Sequence, residues 1–268
     1  MFGSTRAISP SMYMQSMYGR YGIICLMLAL SICAEAQAQA AGPKLAWIDE
    51  LRMAGKFEEA RQALERIVRK EPNNTEAWWR LARTYVELGD VEESSSERSR
   101  LLQLGREAAQ QAIEADSVSS NAHLSYAIAL GRIALDVGTR EKIEISRAVK
   151  EHVDRAIELD PANALAYHVR GRWNYIIADL GFFERAVLKL VYGRIPAASF
   201  EQAAQDYELA ARLEDRVVNH LELGRTLLRM KEVEKARTAL QRALDTPNAD
   251  PKDDQYKEEA WELLKRIK

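Results

Sequence analysis

Three arginines recur at one offset. Arg83, Arg172 and Arg225 each stand five residues after a large residue that opens a helical pattern: Trp78, Tyr167 and His220. A guanidinium presents a planar fork of donors that fits a carboxylate or phosphate in bidentate fashion. Trp79 and His168 share a second offset, one residue after the same anchors. If these helices stack side by side, the five residues form a groove with arginine rungs and a tryptophan wall. Such a groove would take a carboxylate-bearing peptide or an anionic head group. In the plainer reading the rungs are solvated and neutralised by Glu87 and Glu222. The histidines His123, His152, His168 and His220 have no carboxylate at a fixed i, i+4 offset and read as packing or capping groups, so no metal centre is expected.

A second chemical feature is apolar. In Phe182-Phe183-Glu184-Arg185-Ala186-Val187-Leu188-Lys189-Leu190-Val191-Tyr192 the apolar residues form a helical stripe, with Arg185 and Lys189 beside it. Phe182, Phe183, Arg185, Leu188, Lys189 and Tyr192 could meet a lipid or membrane surface, or wall a lipid-sized cavity. The structural alternative is that the segment folds back into a gap between repeats.

Known catalytic patterns are missing. No G-x-x-x-x-G-K-[ST], H-E-x-x-H, G-x-S-x-G or G-x-G-x-x-G occurs, so no enzyme and no cofactor is expected. The net charge of −2 over 268 residues speaks against a nucleic-acid partner, which would call for a basic excess. With 13 Gly and 7 Pro, the chain has too little turn punctuation for a β-sandwich.

The elements that must position these residues are helices. Apolar residues recur every three or four positions beyond Ala41, as in Ala60, Ala63, Leu64, Ile67 and Val68. The pattern Trp78-x2-Leu81-Ala82-x2-Tyr85 is that of a tetratricopeptide first helix. It recurs from His123 (Tyr126, Ala127, Leu130), from Tyr167 (Arg170, Gly171, Asn174) and from His220 (Leu223, Gly224, Leu227). Phe57-x2-Ala60, Phe200-x2-Ala203 and Val233-x2-Ala236 mark second helices. The expected fold is all-α: a tetratricopeptide-like helical-repeat solenoid of about five helix pairs plus a C-terminal capping helix, Lys257 to Ile267. First-helix anchors are spaced by 45, 44 and 53 residues, against a period of about 34. Extra segments must therefore lie at Glu92–Ser99, Asp136–Ser146 and Ile176–Ser199, the last apolar and aromatic.

The N-terminal region reads differently. Tyr21 to Ala34 is uncharged, too short to span a bilayer, preceded by Arg20 and followed by repeated A-x-A sites. We expect a signal peptide over 1–38, cleavage near Ala38, and an exported, periplasmic helical-repeat domain over 39–268. Both cysteines, Cys25 and Cys33, would leave with the leader.

From Ala122 to Lys268 the chain resembles the regulator of microtubule dynamics family. The matching runs are Ala122–Ile128, Val149–His152, Ala156–Pro161, His168–Trp173, Phe183–Arg185, Pro196–Ala203 and Leu221–Arg225 through Ala236. The resemblance implies an irregular tetratricopeptide domain and brings no catalytic residues. It also implies an association with microtubules in animal members, some of them membrane-anchored, from which the export-type N-terminus departs. The expected function is a non-catalytic scaffold presenting a concave groove to a protein or peptide partner. The alternative is a lipid or hydrophobic-ligand carrier using residues 176–199.

Overall fold

The computed structural model describes residues 45–193 and 197–267; for Thr139, Val191 and Tyr192 it describes the backbone alone. The leader expected over 1–38, its cleavage site and both cysteines lie outside the described residues, as does the side chain of Tyr192.

Twelve helices occur among the described residues. They are α1 (Ala46–Met53), α2 (Phe57–Lys70), α3 (Thr75–Val91), α4 (Ser95–Ala115), α5 (Ser120–Ile133), α6 (Thr139–Leu159), α7 (Ala164–Ala178), α8 (Phe182–Tyr192), α9 (Phe200–Leu213), α10 (Val217–Arg229), α11 (Val233–Asp245) and α12 (Asp253–Arg266). Successive helices pair as α3/α4, α5/α6, α7/α9 and α10/α11, with α1 and α2 preceding them, α2 packed on α3, and α12 as the cap. The helix α8 is inserted inside the α7/α9 pair. All but the first two residues of α1 belong to one compact unit, 48–268. The fold is a tetratricopeptide-like helical-repeat solenoid.

Helix starts follow local chemistry. The side chains of Asn74, Ser94, Ser119, Asn163 and Ser199 each accept a hydrogen bond from the backbone N–H three residues on, satisfying a donor that a helix start leaves open. Pro72 and Pro161 follow the ends of α2 and α6, where a missing N–H stops the helix.

Two of the extra segments resolve into longer helices. Glu92–Ser99 becomes the start of α4, and Asp136–Ser146 the start of α6; each helix has 21 residues. The cap begins at Asp253, four residues earlier than the apolar pattern suggested. The reason is the Asp253 carboxylate, which accepts from the N–H groups of Ala249 and Asp250 at 2.7 and 2.8 Å and so builds the turn ahead of the helix.

Packing follows the repeat pattern. Leu81, Ala82, Tyr85, Ala127, Leu130, Tyr167, Leu223 and Leu227 are all buried. One core joins α5, α6 and α7 around Leu124, Val153, Ala166 and Trp173, and another joins α10, α11 and α12 around Leu221, Leu240 and Ala260. Small residues set how closely two helices approach. At Gly224 a Cβ would lie 2.6 Å from the Leu240 side chain, so α10 and α11 meet at a distance only glycine permits. Within the unit the first helices curve enough to bring distant parts together: Lys252, just before α12, reaches Asp90 on α3 at 3.2 Å.

Candidate functional site

First helices touch one another in two sets among the described residues. Helix α3 packs beside α5, α7 beside α10, and α10 beside α12. The shared offsets put Arg83, Arg172 and Arg225 at equivalent positions of α3, α7 and α10.

Arg83 is partly shielded, near Asp49 and Arg52 of α1. Among the described residues no hydrogen bond or ion pair reaches its guanidinium. The carboxylates nearby are engaged elsewhere. Glu87 accepts from Arg52 Nε at 2.9 Å and also from Arg52 Nη2. Asp49 accepts from Arg52 and Arg80, both at 3.0 Å. Burial first, then the positive charge of Arg52, pushes Arg83 down to about 10, with Arg80 adding to the effect and Glu87 and Asp49 offsetting part of it. Arg83 thus stays charged at neutral pH in a place where the protein supplies no acceptor.

Arg172 is also without a hydrogen bond or ion pair among the described residues, but it is exposed. Arg225 differs from both. It donates to Glu222 Oε1 at 2.7 Å and to Glu259 of α12, so its charge is neutralised within the fold. At the equivalent place in α5 stands Ile128, and the ladder has no rung there.

His168 is held by α10. Asn219 donates its amide to Glu214 C=O at 3.1 Å, which leaves its oxygen to accept from His168 Nδ1–H at 2.8 Å. The ring also packs edge-on against Tyr207 with centroids 5.4 Å apart. Burial, helped by the charges of Arg172 and Arg132, lowers its pKa, so the ring is neutral. Trp79 is 5% exposed and packs with Ala112 and Ala122 in the core between α4 and α5. Its ring is therefore part of the core and forms no exposed wall. The guanidinium of Arg80 lies 4.1 Å and that of Arg83 6.0 Å from its ring centre.

A histidine pair lies inside the α5/α6 unit. His123 Nε2 donates to Ser117 C=O at 3.1 Å, so its Nδ1 accepts from His152 Nδ1–H at 3.0 Å. Tyr126 stacks on His152 with centroids 4.6 Å apart. Burial and the neighbouring His123 lower the His152 pKa. No group of three or more candidate ligands occurs among the described residues.

Two arrangements escaped the sequence reading. In the α7/α9 pair Arg170 and Asn174 stand where earlier repeats have Leu81 and Tyr85. Both turn to Asp206 of α9, which accepts from Arg170 Nη2 at 2.6 Å, from Arg170 Nε at 3.0 and 3.1 Å, and from Asn174 at 2.9 Å. This brace holds α7 to α9 across the inserted helix. The departure of Arg170 and Asn174 from the repeat pattern was its one visible trace. The second is the contact of Asp90 with Lys252 and with Arg132, the latter at 2.9 Å.

The inserted α8 does not fill the gap between repeats with its aromatics. Phe182 and Phe183 are each 83% exposed and Leu190 is 86% exposed, while Leu188 is buried. Arg185 faces inward and donates to Leu180 C=O at 2.9 Å and to Ala178 C=O at 2.7 Å. Lys189 is exposed. A crevice of about 560 Å³ lies elsewhere, lined by Trp78, Leu81 and Tyr85 of α3, several residues of α4, and Tyr126.

The comparisons with known proteins agree with this architecture. The profile of the Regulator of microtubule dynamics protein 1-3 family matches residues 45–268. Regulator of microtubule dynamics protein 1 of Pongo abelii is 32% identical over 219 residues, 81% of this chain and 69% of that protein. The protein of the same name from Caenorhabditis elegans is 32% identical over 189 residues, covering 70% of this chain and 83% of that one. A thermophilic TPR protein of Thermus thermophilus shares the fold, with a TM-score of 0.60 at 18% identity over 82% of this chain and 96% of its own. Helical-repeat architecture of this kind, in relatives named as regulators, fits a protein-interaction scaffold. On the match across residues 45–268, the chain belongs to the regulator of microtubule dynamics protein 1-3 family.

Proposed function

We propose that the chain is a non-catalytic scaffold whose concave face captures an extended acidic segment of a protein partner. One observation carries the reading: Arg83 and Arg172 stand at matching offsets of α3 and α7 and lack a hydrogen-bond or ion-pair acceptor among the described residues, while Arg52, Arg80, Arg132, Arg225 and Arg229 of the first helices are paired. A partly shielded guanidinium whose neighbouring carboxylates are engaged elsewhere, as at Arg83, gains a charge-assisted contact from an incoming carboxylate. The groove of five residues reduces in this reading to two binding cations, Arg83 and Arg172. Trp79, His168 and Arg225 hold the floor in place. The relatives are named for microtubule dynamics; in this chain the recognition chemistry asks only for an acidic polypeptide. The proposed export signal concerns where the chain meets that partner and leaves the groove unchanged.

The test is binding of fluorescently labelled poly-glutamate, followed by anisotropy. Replacing Arg83 and Arg172 together by Ala should weaken capture at least about tenfold, as expected when two charge-assisted contacts are lost. Binding by the intact chain should also fall as salt rises. Unchanged affinity in the double variant would sink the reading.

A further inference from the structure

Helix α8 is amphipathic in the reverse sense. At 100° per residue, Phe182, Phe183, Ala186 and Leu190 share one side, and all four are exposed. Val187, 37% exposed, borders that side, and Lys189 stands at its other margin. The opposite side carries Leu188, buried at 2%, and Arg185. The orientation is fixed rather than left to chance. Helix α8 packs on α6, Arg185 holds two backbone carbonyls, and Glu184 accepts from Gly181 N–H at 2.7 Å. The single acid of the helix is thus spent on its own start, away from the apolar face.

We propose that this face docks on the surface of a bilayer containing anionic lipids, with Phe182, Phe183 and Leu190 entering the interfacial layer and Lys189 meeting the head groups. The size of the patch separates this occupant from a second copy of the chain. An exposed aromatic side chain offers about 150–250 Å², so the three residues present on the order of 400–500 Å². A stable protein interface needs about 800 Å² from each partner. A bilayer asks for no matching surface, and a short helix with an apolar face edged by a cation is the form that lies in its interface. No described helix is long and apolar enough to cross a membrane, so the contact is one of surface docking. The inference is independent of the concave face: it concerns a different helix and a different ligand.

The experiment uses the full chain with Cys25→Ser and Cys33→Ser and a polarity-sensitive dye at Phe183→Cys. Leu190→Cys gives a second labelled position, and Thr238→Cys, exposed on α11, is the control. Vesicles of phosphatidylcholine alone and of phosphatidylcholine with phosphatidylserine are added. The expected result is a blue shift at 183 and 190 on the anionic vesicles and none at 238. Lys189→Glu and Phe182→Ser together should weaken vesicle binding about tenfold, through lost charge attraction and lost apolar insertion. Because these side chains are exposed, an unchanged far-UV circular dichroism melt is expected. No shift at 183 and 190 overturns the proposal, as does an equal shift at 238. An equal response to phosphatidylcholine alone overturns the anionic requirement. A shift that grows with protein concentration and needs no vesicles overturns the bilayer in favour of a second copy.

Discussion

Asp206 is 6% exposed, and its two oxygens are occupied by Arg170 and Asn174 of the neighbouring helix. Replacing it by Ala leaves the half-buried Arg170 guanidinium with only the longer contact to Asp154 at 3.8 Å, and we expect a loss of about 2 kcal/mol, below the range for breaking fully buried pairs. Restoring the apolar repeat residue with Arg170→Leu in the Asp206→Ala background should recover much of that loss. Urea denaturation of the single and double variants measures both. Histidine gives a second prediction at this scale. His152 and His168 have lowered pKa values because burial disfavours the charged ring. The unfolded chain therefore takes up protons first as pH falls. Stability is fully present above about 6.5, the ordinary histidine value, and declines as pH drops from there toward the folded values. The melting temperature should fall between pH 7.5 and 5.5, and less so in His168→Gln; a flat profile in the intact chain would contradict it. What the sequence showed of these residues was their offset and little more. Shared spacing puts Arg83, Arg172 and Arg225 at equivalent positions of three helices, because helical periodicity is local. Which of them is free depends on carboxylates from other helices, such as Glu259 to Arg225, and on Glu87 being taken by Arg52 of α1, and no local pattern encodes those pairings.

The helices themselves were legible for a simple reason: burying one stripe against two neighbours forces a three- and four-residue spacing that any reader of the chain can see. The α1/α2 and α10/α11 connections show how the same turn can be made with different residues. Gly55 and Lys231 each stand two residues before the second helix, at φ +72° and +64°. Glycine adopts this region freely, whereas a lysine is strained there by about 1 kcal/mol. Lys231→Gly should therefore raise stability by up to about 1 kcal/mol, seen as a higher denaturation midpoint with an unchanged slope. The inserted α8 was half legible. Its apolar stripe is plain, but Leu188 falls on the opposite side from Phe182 and Phe183. Only the packing on α6 and the Arg185 tether decide which side faces out. One side of the segment, with Leu188 and Arg185, turns inward while its aromatics stay exposed, and α7 meets α9 directly through the Asp206 brace.

Across the unit 48–268, curvature joins parts that lie 162 residues apart. Asp90 on α3 meets Arg132 of α5 and Lys252 ahead of α12, so one carboxylate ties the early repeats to the start of the cap. Lys252 is substantially exposed, and contacts of this kind weaken as salt screens them. With dyes on the α3–α4 and α11–α12 turns, energy transfer should drop in Asp90→Asn and at high salt; no change in either would show that helix packing alone sets the curvature. The central claim remains that the proposed concave face binds through two unpaired guanidinium groups. Its most direct test is poly-glutamate affinity for four chains at low salt: intact, Arg83→Ala, Arg172→Ala, and Arg106→Ala, which removes an equally unpaired, exposed arginine from α4. The account predicts weaker binding for the first two variants and none of that effect for Arg106→Ala. Equal weakening in all three would mean that the chain attracts acidic polymers by overall charge, and that its concave face has no particular part in recognition.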